Sequence, residues 1–264
     1  MTDNLNFLTH IRDESARFID VLRDAPPDAQ VPTCPDWRTD DLLWHLGEVQ
    51  WFWATIVREA VMDPATLDDP ERPADRAGLL EFLGSSSAAL VTALAETEPE
   101  AARWTWAPEQ TAGFILRRQA HEALIHRLDA ELTAGVERST MDPALCTDGV
   151  DETLRVMFAG VPEWGHTEPE PAATLRLHAE DTGDSWLVTM GRFTGTDPDG
   201  TSHDEPDIMV AESDSGAQAA ATVVGAAADL DCWLWSRPTM GPLERSGDQE
   251  IHTRFQAFIG QGID

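Results

Sequence analysis

Apolar side chains recur at three- and four-residue steps at the start of the chain, at Leu5, Leu8, Ile11, Phe18 and Leu22, which predicts an amphipathic helix over residues 4–24. Ala25-Pro26-Pro27 ends it, because proline breaks the ladder of backbone donors. Within Val31 to Trp37, Pro35 keeps Cys34 extended. A second helix is predicted from Thr39, read as its N-cap, to about Met62; Asp40 and Asp41 suit its positive end, and Leu42, Leu46, Val49, Trp53 and Ile56 form its inward stripe. A third helix is expected over 76–95, with Leu79, Leu80, Leu83, Leu90, Val91 and Leu94 inward, and a fourth over 110–133. Four long helices joined by loops of ordinary length predict an all-α four-helix bundle, a fold whose sites are built from side chains on facing helices.

The pattern changes after a short helix expected around 150–159. Residues Pro162 to Pro171 are proline-rich and without period, so they read as a linker, dividing the chain into domains 1–161 and 162–264. Leu175, Leu177 and Ala179 alternate with polar residues, and a second extended run, Ser185 to Met190, follows Asp181-Thr182-Gly183-Asp184; this predicts a hairpin. A strand near 208–211, an alanine-rich helix from about Gln218 to Trp235 and a helix over 248–259 complete a smaller α+β domain.

Charge narrows the range of partners. The 264 residues carry 48 acidic and 18 basic side chains, a formal charge of −30, with no lysine and no tyrosine. Such a surface repels phosphate backbones and anionic headgroups, so neither nucleic acid nor membrane is an expected partner. There is no run of 18 apolar residues and no basic-apolar leader at Met1 to Asn6, and Cys34, Cys146 and Cys232 are isolated. A cytoplasmic location is the expectation.

Phosphate-binding glycine loops, the G-x-S-x-G elbow and H-E-x-x-H are all missing, which leaves the histidines as candidate chemistry. Residues four apart on a helix point within about 40° of each other, so Glu122 and His126 can reach one ion. Four acid–histidine pairs have this spacing, Asp41/His45, Glu122/His126, Asp199/His203 and Asp248/His252, against roughly 1.5 expected by chance, so spacing alone selects none of them. Apolar surroundings favour Glu122/His126 and, on helix two, His45. In a bundle these three can supply two nitrogens and one carboxylate oxygen to one divalent cation with a position left open, a set that suits zinc and also Fe²⁺, Ni²⁺ or Mn²⁺. Core histidines hydrogen-bonded to carboxylates are the alternative that the spacing leaves open.

Other residues take their places around that centre. His121, five residues from His126, is turned about 140° away and is expected to face elsewhere. Glu48 and Asp129 are spaced to orient the ligands. Trp104 and Trp106, in the loop before helix four, are candidates for the mouth of a cofactor-binding pocket. Arg127 reads as a surface ion-pair partner and Cys34 as a packed thiol.

Four motifs, Val31-Pro-Thr-Cys-Pro-Asp-Trp37, Leu43-Trp-His-Leu-Gly-Glu-Val49, Gln119-Ala-His-Glu-Ala-Leu-Ile-His-Arg-Leu-Asp-Ala-Glu131 and Asp229-Leu-Asp-Cys-Trp-Leu-Trp-Ser-Arg237, together resemble the mycothiol-dependent maleylpyruvate isomerase family. The resemblance implies a DinB-like helical bundle followed by a sterol-carrier-like C-terminal domain. It implies that His45, Glu122 and His126 match the family's metal triad and that mycothiol is the thiol cofactor. The family reaction it implies is addition of a thiolate to a cis double bond, rotation about the resulting single bond, and elimination to the trans isomer with the thiol regenerated. A substrate with no route to elimination would make the same site a thiol transferase. Arg237 matches the arginine of the family's Leu-Trp-Gly-Arg pattern, with Ser236 in place of the glycine, and is the candidate catalytic residue that holds a substrate carboxylate; a helix-capping arginine is its plain alternative. The expected function is a metal-dependent, mycothiol-using isomerase or thiol transferase acting on a small unsaturated carboxylate. A small-ligand-binding protein without turnover and a metal-assisted hydrolase stand as alternatives.

Overall fold

The computed structural model describes residues 5–213, 216 and 218–261. The chain divides into two compact units, Met1–Thr140 and Met141–Asp264. The first is helical, with α1 (Phe7–Leu22), α2 (Thr39–Glu59), α3 (Arg76–Ala95) and α4 (Ala112–Ala134). α1 packs on α3 and α4, and α2 lies across α3 and α4. Phe18, Leu22, Leu42, Leu43, Leu46, Leu79 and Leu83 meet in one core, each buried; removal of a side chain of this kind costs about 2–5 kcal/mol. α2 and α3 approach closely at Gly47, where a Cβ would stand 3.0 Å from the Phe82 ring.

Local chemistry sets the helix ends. Asn6, Asp75 and Thr111 each accept a backbone N–H from the first turn of α1, α3 and α4. α1 begins at Phe7, later than the expected residue 4, which lies outside the described residues. Thr39 is not the cap of α2: it is the first helical residue, and its hydroxyl donates back to Pro26 O at 2.7 Å. The Asp41 carboxylate instead accepts the Arg38 N–H at 2.9 Å. α3 is long and apolar enough by composition to cross a membrane, yet its Leu79, Leu83, Leu90, Ala93 and Leu94 are buried within the unit.

The second unit opens with α5 (Pro143–Glu152), capped by Asp142, and continues through a π-helical turn, Thr153–Phe158. The short helix expected at 150–159 therefore starts earlier, at Pro143, whose fixed φ and missing donor suit a first turn. Its strands are β1 (Gly165–Ala179), β2 (Ser185–Thr196), β3 (Ser202–Val210), β4 (Ala221–Gly225) and β5 (Glu244–Gly247), with α6 (Ala227–Leu234) and α7 (Gln249–Ile259). Among the described residues they form a mixed sheet in the order β3-β2-β1-β4-β5, antiparallel except for β1 beside β4.

Two expectations are corrected here. The segment 162–171, read as a linker, enters β1 at Gly165 and, over Gly165–Pro169, pairs with Gly191–Gly195 of β2; β4 joins β1 only from Leu175 onward, so Pro169 lies where β1 pairs on one side alone and Pro171 falls in the break of register before Thr174. The division of the chain accordingly falls at 140/141, ahead of α5, which packs on α6, and not at 161/162. The alanine-rich stretch from 218 to 235 is not one helix. Thr222, Val223 and Val224 are β-branched and pair beside β1, so sheet packing overrides the helical preference of the flanking alanines, and α6 starts only at Ala227.

Candidate metal centre

α2 carries His45 and α4 carries Glu122 and His126 one turn apart, and the packing of the two helices brings their polar atoms together. His126 Nε2 lies 3.0 Å and His45 Nε2 3.4 Å from the same oxygen, Glu122 Oε1. All three donor atoms fall within 4.8 Å of one another, and the imidazole rings stand 4.8 Å apart, edge to face. Ligands of a tetrahedral ion with bonds near 2.1 Å sit about 3.4 Å from each other, so three atoms within 4.8 Å of one another lie close to the spacing around one divalent cation. Exposure rises from His126 (9%) through Glu122 (18%) to His45 (30%), which makes the cluster buried at one side and accessible at the other.

Each ligand candidate on α4 has an outer partner. Asp129 Oδ2 accepts from His126 Nδ1 at 3.0 Å, and its other oxygen accepts the Thr33 hydroxyl at 2.6 Å. An ionised carboxylate on Nδ1 fixes the tautomer that turns the Nε2 lone pair toward the cluster. Glu122 Oε2 accepts from Arg118 Nη2 at 3.0 Å. Burial opposes the charged form of His126, but the Glu122 charge and the hydrogen bonds of Asp129 and Glu122 outweigh it and push its pKa up to about 9. Burial likewise works against the Glu122 carboxylate, while His126, His45 and Arg118 hold it well below the usual carboxylate range.

The 31–37 loop closes over this centre. Val31 N–H donates to Trp37 O, and Gln30 Nε2 bridges Pro35 O and Trp37 O, which fixes the loop that carries Thr33 and Trp37. The Trp37 ring packs 4.6 Å from that of His45 and 6.3 Å from that of His126. Thr33, Trp37 and Arg118 are the residues around the cluster to which sequence reasoning gave no role. Arg118 carried a readable signal, since it precedes Glu122 by four residues; Trp37 carried none, because its contact depends on how the loop folds back.

None of the other candidates of the first unit is among the three converging groups. Trp104 and Trp106 pack on Trp53 at 6.0 and 5.8 Å, and Trp106 also meets Phe114. Trp53 is eight residues beyond His45, about 12 Å along α2, and Phe114 is twelve before His126, about 18 Å along α4. The expected cofactor-binding tryptophans are therefore not brought to the cluster. His121 is buried and meets Phe7 edge to face, away from the three converging groups. Glu48 is not among those groups either. Arg127 is not on the surface: it is buried, pairing with Glu14 at 2.6 Å and Glu131 at 2.8 Å. Cys34 packs against the core. Arg237 belongs to the second unit, where its Nη1 donates to Trp235 O at 2.7 Å beyond the end of α6.

A helical unit with a two-histidine, one-carboxylate cluster, followed by an α+β unit, defines a class of two-unit proteins. The sequence matches the model of the mycothiol maleylpyruvate isomerase N-terminal domain over residues 8–131 and that of the MDMPI C-terminal domain over 144–254. The chain belongs to the mycothiol-dependent maleylpyruvate isomerase family. Crystal structures of the mycothiol-dependent maleylpyruvate isomerase and of a mutant form of it share its fold, each with a TM-score of 0.58 at 14% identity over 92% of both chains. No curated protein matches the sequence significantly.

Proposed function

We propose that the chain is a metal-dependent, mycothiol-using isomerase whose cation is held by His45, Glu122 and His126, with a small unsaturated carboxylate as substrate. One observation carries the reading: in a chain of this family, two nitrogens and one oxygen from two helices converge with the spacing of ligands around a single ion. A divalent cation so held would supply Lewis acidity that favours the thiolate form of a thiol at neutral pH. The residues of the chain do the rest. Asp129 and Thr33 orient His126, and the Trp37 ring packs against His45 at the accessible end of the cluster. Once a thiolate has added to the cis double bond, the single bond so formed can rotate, and loss of the thiolate gives the trans isomer; no net proton or electron is consumed. Arg237 is the proposed holder of a substrate carboxylate, on the strength of its place in the Leu-Trp-Ser-Arg motif.

The test is turnover of maleylpyruvate by zinc-reconstituted protein with mycothiol present, with mycothiol omitted, and with zinc stripped. Activity that needs both supports the proposal; turnover indifferent to thiol supports metal-assisted hydrolysis or another route, and none in the complete mixture contradicts it. Arg237→Lys keeps the charge and removes the two-pronged hydrogen bond, and its kcat/KM is expected to fall at least about tenfold, mainly through KM. An unchanged KM removes Arg237 from the site.

A further inference from the structure

The two oxygens of Glu122 face different groups. Oε1 looks toward both histidine Nε2 atoms, at 3.0 and 3.4 Å, whereas Oε2 accepts from Arg118. Arg118 stands one turn earlier on α4, and its side chain is only 3% exposed. Burying a guanidinium carries a heavy desolvation cost, so its position calls for a role. It is too enclosed to meet a substrate arriving from solvent.

We propose that Arg118 is a positioning residue that holds Glu122 to ligation through one oxygen and thereby keeps a coordination position open on the cation for the thiol. This rests on the reading of His45, Glu122 and His126 as ligands. A carboxylate can grip a cation with one oxygen or with two. With three protein ligands and one solvent molecule, a second Glu122 oxygen would raise the coordination number to five and crowd the place an incoming group needs, since a reactive site differs from a structural one by that open position. A charge-assisted hydrogen bond to Oε2 competes for the oxygen directly. Its i,i+4 spacing on a single helix means that the restraint survives small shifts between α2 and α4. Asp129 acts in parallel on His126, so both α4 ligands are left with one donor atom each.

The full-length protein loaded with Co²⁺ gives a direct readout, because visible d–d absorption is strong for four-coordinate cobalt and weak for higher coordination. Wild type is expected to bind about one equivalent with a four-coordinate spectrum. Arg118→Met is expected to keep its cobalt but lose about half or more of that intensity as Oε2 becomes a ligand, and Arg118→Lys to recover most of it. A purely structural ion pair would lower the melting temperature of Arg118→Met and leave its spectrum unchanged; that result overturns the proposal. Should Arg118→Met fail to fold, a crystal structure of the zinc-loaded wild type decides. One Glu122 oxygen at about 2.0–2.2 Å from zinc, with Oε2 still on Arg118, upholds the assignment, and two bound oxygens refute it. Failure of the underlying triad shows separately, as a wild type that takes up no cobalt.

Discussion

The two nitrogens of an imidazole become different groups once a carboxylate claims one of them. In His126 the claim is made by Asp129, three residues on and fully buried, itself fastened by Thr33 from the 31–37 loop. That leaves Nε2 turned toward the cluster and shows why spacing alone could not choose among four acid–histidine pairs: His203, in one of the others, reaches Asp197 and Glu205 on partly exposed strands and turns, outside the one converging set of three found among the described residues. His126→Ala is expected to cut bound zinc from about one equivalent to less than about 0.1, with helicity retained, while His121→Ala keeps it. Asp129→Ala is expected to weaken zinc affinity by about 10- to 100-fold. Metal content after dialysis and a competition titration measure both, and equal losses in the two histidine variants would mean that the wrong face of α4 has been assigned. At this scale the shared face of Glu122 and His126 was legible because helical geometry is regular, whereas the approach of His45 from another helix was expected only from the bundle fold and the family resemblance. Trp37 and Thr33 were not legible, because their positions depend on the backbone path of a loop.

α4 joins two networks on its two sides. One is the His45–Glu122–His126 cluster; the other is an ionic cluster in which Arg127 pairs with Glu14 of α1 and with Glu131, and Glu131 also accepts from Arg17 and from the Ser139 hydroxyl and N–H. Burial disfavours the Glu131 carboxylate, but Ser139, Arg127 and Arg17 outweigh that and hold its pKa below the ordinary value. A group depressed in this way adds stability above its unfolded pKa and loses it as pH falls through the folded one. Glu131→Gln is therefore expected to lower stability near pH 7 by about 3–5 kcal/mol, as in other broken buried pairs, with a gap that narrows below about pH 4. Denaturant melts at the two pH values check this, and a gap that widens in acid would contradict the assigned role. The misreading of Arg127 as a surface residue has the same origin as the misreading of 218–235. Composition around a residue, acids in one case and alanines in the other, says little about which neighbouring element will cover it. The long helices of the first unit were readable because each carries its own apolar stripe and its own end signals, whereas β4 and β5 exist only through pairing with strands distant in sequence.

For the whole molecule, charge dominates. A net charge of −30 over 264 residues is a standing repulsion that ions in solution screen, with a Debye length of about 8 Å at 0.15 M. The melting temperature is expected to rise with added salt between about 0.05 and 0.5 M, and one that stays flat or falls would show that paired charges cancel the repulsion. The same field favours divalent cations near the protein, so nonspecific binding must be separated from the His45–Glu122–His126 centre. The measurement that does so is the spectrum of the cobalt-loaded protein as mycothiol is added. A sulfur-to-cobalt charge-transfer band in the near ultraviolet, saturating at one thiol per cobalt and absent from the His126→Ala protein, is the predicted result. A fully cobalt-loaded protein whose spectrum mycothiol leaves unchanged would contradict the account.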